Sequence, residues 1–64
     1  MNLGIGLEIR IARIRAGLTQ AELAQRLYID RSLISLIELE RSPVGKERLQ
    51  AIQEITGVEL DVAK

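Results

Sequence analysis

Apolar residues recur at helical spacing in two short, neighbouring segments in the middle of the chain. Thr19 is followed three residues later by Glu22, which is the spacing of a helix-starting capping box. Leu23, Ala24 and Leu27 then continue at intervals of three and four residues. This pattern predicts a helix that begins after Thr19 and ends at Leu27.

A second amphipathic segment follows after Tyr28 and Ile29. Asp30 is a candidate N-cap, and the predicted helix spans residues 31–39. Two helices this short cannot bury much surface alone, so they must cross closely and share a core with flanking helices. This arrangement consists of a short helix, a three-residue turn and a second helix with polar groups at its start. It is the geometry that places a helix in the DNA major groove. The apolar stripe of the second helix consists of Leu33, Ile34 and Ile37.

Residues 4–16 are predicted to form an earlier helix, which Gly17 ends in the left-handed position. Its apolar residues fall on two faces about 180° apart. A helix in a small bundle cannot bury both faces against one core, so the second face is interpreted as a dimer or partner surface. Scattered exposed aliphatic residues are the alternative. The core face contains Ile5, Ile9, Ala12 and Ala16, and the second face contains Leu7, Ile11 and Ile14.

A loop over residues 40–44 precedes a fourth predicted helix, which Gly45 opens and Gly57 closes. Beyond Gly57, apolar and acidic residues alternate with period two, the pattern of a half-buried strand. Because a lone strand needs a partner, this tail is a second candidate for a dimer or partner surface, with a frayed terminus as the alternative. The helix stripe is Leu49, Ile52, Ile55 and Thr56, and the tail residues are Val58, Leu60 and Val62.

The composition limits the function of this chain of 64 residues, which is predicted to be one domain over residues 1–64. It contains no cysteine and no histidine, so disulfides and thiolate metal sites are excluded and the commonest catalytic base is missing. We therefore expect no enzyme, no cofactor, no metal and no small-molecule substrate. No apolar run approaches the ~20 residues of a membrane span, and no secretory signal is visible, so a cytoplasmic protein is expected.

The charge balance is unusual for a nucleic-acid binder, because nine lysine and arginine residues balance nine acidic residues. Their distribution matters more than their sum. The basic residues in or after the second helix of the central pair could form a local basic patch on a neutral protein. These residues are Arg31, Arg41, Lys46 and Arg48.

Together these residues resemble the helix-turn-helix repressors of the phage Cro/repressor type, also called the xenobiotic-response-element (XRE) family. The similarity runs from residues 5–6 to residues 57–58 and is strongest at residues 17–24, G-L-T-Q-A-E-L-A. It implies an all-α bundle of four to five lambda-repressor-like helices, with the helix-turn-helix at about residues 20–39 and a short C-terminal strand or extended tail. It also implies a homodimeric repressor that binds a palindromic operator in double-stranded DNA.

The resemblance implies a role for each matching residue. Gln20 would bond a phosphate or position a neighbouring side chain. Arg31 would read guanine, although a phosphate clamp or a salt bridge to Asp30 is an equal alternative. Leu36 would touch a thymine methyl, or it would indicate a face that binds protein. The full set of matching DNA-binding positions is Gln20, Arg31, Ser32, Ser35, Leu36, Arg41, Lys46 and Arg48.

The resemblance further implies a structural ion pair between Arg13 and Glu38, which would orient the recognition helix. Tyr28 departs from the family by replacing a turn glycine, so the turn is either remodelled or adopts a positive φ. The zero net charge, the second face of the first helix and the apolar Leu33 and Leu36 motivate an alternative function. This alternative is a protein-interaction module on the same scaffold, such as an antitoxin, antirepressor or adaptor.

Overall fold

The structure, a computed structural model, describes residues 4–60, and these form four helices and no strand. The helices are α1 (Ile5–Arg15), α2 (Gln20–Leu27), α3 (Arg31–Glu38) and α4 (Lys46–Thr56). The all-α prediction is therefore confirmed, with four helices within this range. Helices α1 and α2 each pack against both α3 and α4. The arrangement places the α2–turn–α3 pair on a base made by α1 and α4.

Local sequence signals start and stop these helices. At the start of α2, the Glu22 N–H donates to Thr19 Oγ1 at 3.1 Å, and the Thr19 N–H donates to Glu22 Oε1 at 2.8 Å. The predicted capping box is present. The bond from the Thr19 backbone, followed by the one with its hydroxyl, lowers the pKa of the Glu22 carboxyl. The capping bonds of the ionised Glu22 therefore add to the stability of the fold at a pH above the unfolded-state pKa. This contribution is lost as the pH falls through the lowered pKa of the folded state.

Two predicted features at the helix ends need correction. Asp30 occupies the N-cap position of α3 in an extended conformation, but its side chain makes no capping hydrogen bond. Ala16 was predicted to belong to the core face of α1, but it is exposed. Because α1 ends at Arg15, Ala16 is the C-cap residue and the chain turns away from the core there.

The core is aliphatic and draws on all four helices. Five side chains are essentially inaccessible, and the smaller Ala12 and Ala24 let the helices approach closely. Ile55 and Thr56 of the predicted α4 stripe are only half-buried, because they lie at the end of that helix. The five inaccessible side chains are Ile9, Leu23, Ile34, Ile37 and Ile52.

The residues after α4 fold back onto the core instead of forming a strand within the described range. Leu60 is only 4% exposed and belongs to the core, and the partly buried Val58 packs against that core. The Leu60 N–H donates to Gln53 Oε1 at 2.6 Å, which fixes the tail against α4. The interpretation of Leu60 as part of a partner surface is therefore wrong for this fold. Val62 lies outside the described residues.

The end of α3 is joined to the start of α1 through Glu40. Its carboxylate accepts a hydrogen bond from the Gly6 N–H, a group at the α1 N-terminus that has no partner within the helix. Gly4, the N-cap of α1, offers no side chain for this purpose. Glu40 therefore caps α1 from a distant part of the chain, with its own backbone at a φ of +63°.

Tyr28 adopts the positive φ that one of the two predicted alternatives required, with a φ of 60° and a ψ of 40°. A left-handed backbone costs a residue with a Cβ roughly 1–2 kcal/mol. The Tyr28 side chain is 94% exposed, so its removal loses almost no burial.

We expect Tyr28→Gly to raise the free energy of unfolding by about 0.5–1 kcal/mol, the relief of backbone strain less the extra chain entropy of glycine. Urea unfolding followed by circular dichroism measures this change. Tyr28→Ala is the matched control, because it removes the same side chain and keeps the strain. Equal stabilisation by alanine and glycine would show that the backbone conformation is not the cause.

Candidate nucleic-acid interface

Helix α3 is anchored by one face and presents the other to solvent. Ile34 and Ile37 are buried, and Leu33 is half-buried against the core. The opposite face begins with polar groups, so the helix is amphipathic in the sense that a groove-binding helix requires. This orientation follows from the spacing of the isoleucines, which places one side of the helix over the core.

The residues expected to read DNA lie together on the outward face of α3. Arg31, Ser32 and Leu36 are exposed and Ser35 is half-buried. None of these four side chains belongs to the core of the described residues. With the start of α2 they line one open groove, whose residues are Gln20, Asp30, Arg31, Ser32, Ser35 and Leu36.

A buried ion pair sits beneath this face and joins α1 to the end of α3. Arg13 Nε donates to Glu38 Oε2 at 2.7 Å, and Arg13 Nη2 donates to Glu38 Oε1 at 3.2 Å. Arg13 Nη1 donates to the Leu18 carbonyl at 2.9 Å. Each residue of the pair is only 9% exposed. The pair expected from the family resemblance is present in a two-point geometry that fixes the direction of α3.

Gln20 belongs to the same network. Its Nε2 donates to Glu38 Oε1 at 3.0 Å, so Glu38 receives bonds from α1 and from the first residue of α2. Of the two roles expected for Gln20, the structure contains the contact with a neighbouring side chain. All buried side-chain nitrogen and oxygen atoms in the described part have a hydrogen-bond partner. The network is therefore fully satisfied, which is the condition under which buried polar groups rigidify a site.

Three basic side chains lie between the end of α3 and the first turn of α4, interspersed with the exposed Glu40 and Glu47. Arg41 and Lys46 are exposed and Arg48 is half-buried. Arg31 forms no ion pair with Asp30 within the described range, so its guanidinium is directed neither to that carboxylate nor to the core. Lys46 is the first residue of α4, where the helix dipole adds to its charge. Acidic residues further along the chain include the exposed Glu54 of α4.

Glu40 is the positioning residue that sequence reasoning missed. It lies in the loop between α3 and α4, where the sequence alone does not distinguish it from an ordinary solvated carboxylate. The only local signal was Gly6, whose missing Cβ allows α1 to approach the end of α3. Among residues 4–60, no cluster of potential ligands could hold a metal ion. No helix in that range is long and apolar enough to span a bilayer.

Two short helices, α2 and α3, joined by a three-residue turn and with the outward face of α3 open to solvent, have the arrangement of a helix-turn-helix domain. The model of the Helix-turn-helix family matches residues 9–62, which is most of the chain. The chain belongs to this family, the Cro/repressor or XRE type, and is a DNA-binding regulatory domain. No curated protein and no solved structure matches it.

Proposed function

We propose that this protein is a sequence-specific transcriptional repressor that binds a palindromic operator as a homodimer, with α3 in the major groove. One observation carries the proposal: the outward face of α3 begins with Arg31 and two serines while its opposite face is fixed to the core. A rigid helix of this kind holds its first two turns at a constant depth in the groove.

Arg31 supports base recognition because it is the first residue of α3 and is exposed. A guanidinium there can donate two bonds to the O6 and N7 of guanine, worth about 1–3 kcal/mol of discrimination. Ser32 and Ser35 are small enough to let the helix approach the bases. Leu36, at 41% exposed, offers its methyl groups to a thymine methyl.

Backbone contacts are assigned to Gln20 and the basic residues around α4. An amide nitrogen carries two hydrogens, and Glu38 takes one of the two on Gln20 Nε2. We assign the second hydrogen, at the N-terminus of α2, to a phosphate oxygen. Arg41, Lys46 and Arg48 then neutralise further phosphates, each adding about 0.9 to the salt slope.

The experiment is a selection of bound sequences from a random duplex pool, followed by anisotropy titrations at several salt concentrations. We expect Arg31→Ala to lose about 1–3 kcal/mol of discrimination between the correct and the wrong base at one base pair per half-site. Arg41→Ala should weaken binding to all duplexes equally. It should also lower the magnitude of the slope of log affinity against log salt concentration by about 0.9 per subunit. Arg26→Ala is the control, because that exposed arginine does not line the groove. Unchanged affinity in both test variants at low salt would reject this docking.

The second candidate function is a protein-interaction module, and the apolar character of the same helix favours it. Leu36 is 41% exposed and Leu39, at the end of α3, is 58% exposed. Leucines of this exposure suit a protein surface as well as a DNA groove. The pool selection separates the two functions, since a lack of enrichment at low salt would favour the interaction module.

A further inference from the structure

The side of helix α3 that faces away from the core carries two exposed leucines. Leu36 is 41% exposed and Leu39 is 58% exposed. At 100° per residue, Ser32, Leu36 and Leu39 fall within about 60° of one another on the helix. This sector lies roughly opposite the buried Ile34 and Ile37. The outermost part of α3 is therefore polar only in its first turn and apolar towards its end.

A closed helix end holds the two leucines in place. The Arg41 N–H donates to the Leu36 carbonyl at 2.8 Å, and the Glu40 N–H donates to the Ile37 carbonyl at 3.1 Å. With Glu40 in the left-handed conformation, these two bonds form the Schellman motif that ends many helices. The leucines are thus presented by a fixed backbone, and Arg41 follows them directly along the chain.

Arginines lie at both ends of this apolar surface. Arg31 is the first residue of α3 and Arg41 lies just beyond its end, and both are exposed. Two exposed carboxylates are near: that of Glu40 is bonded to the N-terminus of α1, and Asp30 precedes the first leucine by about 9 Å along the axis, at 1.5 Å per residue. An apolar surface between two arginines suits a ligand that is negative at its rims and carries methyl groups between them. The DNA major groove is such a ligand.

The chemistry of leucine restricts the bases that this surface can contact. Leucine neither donates nor accepts a hydrogen bond, so pressing it against an amino or carbonyl group of a base desolvates that group without compensation. Among the base-edge groups of the major groove, the C5-methyl of thymine is the apolar one. Contact between a leucine and this methyl group removes apolar surface of both from water. A cytosine methylated at C5 presents the same methyl group at the same ring position.

We propose that Leu36 and Leu39 recognise the C5-methyl groups of pyrimidines, while the small Ser32 lets the helix approach closely. The inference rests on the proposed function, because it needs α3 in the major groove, and it adds the chemical class of the bases that are read. The leucines are about 4.5 Å apart along the axis, against about 3.4 Å per base step, so they lie over neighbouring base pairs. Each operator half-site carries thymine there, and 5-methylcytosine can replace it. Binding is therefore sensitive to cytosine methylation.

Anisotropy titration of modified operators tests the proposal, starting from the duplex enriched by the pool selection. Deoxyuridine replaces each thymine in turn, which removes one methyl group and keeps every hydrogen-bonding group of the base. We expect an affinity loss of about fourfold per half-site at one or two thymines, the effect of one methyl group returned to water. At the same positions, 5-methylcytosine should bind more tightly than cytosine by about the same factor.

Variants of the protein identify the residues that contact the methyl groups. In Leu36→Ala the deoxyuridine effect should disappear at one thymine, and in Leu39→Ala at its neighbour, because each cycle removes both partners of one contact. Leu7→Ala is the matched control, a leucine of 40% exposure on α1 that does not line the groove, and it should keep both effects. Circular dichroism checks that each variant is folded.

Three results would overturn the proposal: a selected half-site without thymine, no loss with deoxyuridine at any thymine, or the same loss in the wild type and in both leucine variants. Any of them, found together with normal enrichment and with base discrimination lost in Arg31→Ala, rejects the methyl contact and leaves the proposed function standing. A pool that shows no enrichment at low salt rejects both, and it leaves the two leucines to a protein partner.

Discussion

Glu38→Ala is expected to lower the free energy of unfolding by about 3–5 kcal/mol, the range found when one partner of a buried ion pair is removed. The variant leaves the guanidinium of Arg13, a residue that is 9% exposed, without the carboxylate that accepts two of its hydrogen bonds. Gln20 loses its partner as well. Since a domain of this size is stable by about 3–10 kcal/mol, the loss takes a large share of the total.

Urea unfolding at low temperature, followed by circular dichroism, measures this effect. Glu54→Ala is the matched control, an exposed glutamate on α4 that should change stability by less than about 0.5 kcal/mol. The loss of stability in Glu38→Gln should lie between those of Glu38→Ala and Glu54→Ala, because the amide oxygen of glutamine still accepts one hydrogen bond. A loss below about 1 kcal/mol in Glu38→Ala would mean that water reaches and solvates the guanidinium.

We expect the pair to matter more for the orientation of α3 than for stability. Replacing both partners with apolar residues, Arg13→Met/Glu38→Leu, should recover much of the stability lost in either single variant, because no buried charge remains unpaired. If α3 docks in the groove as proposed, the affinity for DNA should not recover with the stability. The apolar pair has no directional bonds to fix the angle of α3, and Gln20 has no acceptor to hold its amide. Recovery of both properties would make the network a packing feature only.

Local signals allowed the helices to be predicted from the sequence. The capping box at Thr19 and the positive φ of Gly17 and Gly57 depend on residues only a few positions apart. The alternative of a positive φ at Tyr28 came instead from the family resemblance, in which a glycine occupies this position of the turn. The observed helix ends accordingly lie within one or two residues of the predicted ones.

Contacts between distant residues could not be predicted in the same way. The bond from Gly6 to Glu40 joins residues 34 positions apart, and the Leu60 backbone finds the Gln53 side chain seven positions back. Period-two alternation after α4 indicates a strand, but Leu60 is buried in the core of its own chain, and that burial outweighs the local pattern. The Arg13–Glu38 pair came from the family resemblance and not from periodicity, which places Arg13 only at the edge of the core face.

Gly6→Ala is expected to lower the free energy of unfolding by about 3 kcal/mol or more, the upper range for overpacking a close contact. A Cβ at this buried position would overlap the Ile37 carbonyl oxygen and stand 2.7 Å from that of Glu38. Both oxygens belong to the backbone of α3 and cannot rotate away. The steric penalty therefore outweighs the gain of about 1 kcal/mol that alanine brings to a helix.

Gly45→Ala is the control, because a Cβ there meets nothing within 4 Å, and it should cost less than about 1 kcal/mol at a helix N-cap. The double variant Gly6→Ala/Glu40→Ala separates the two neighbours of the new methyl group. If the backbone contact dominates, removal of the Glu40 carboxylate gives no rescue and also removes the cap of α1. Rescue by Glu40→Ala would instead assign the strain to a flexible side chain, and α1 would then be free to approach α3 without a glycine.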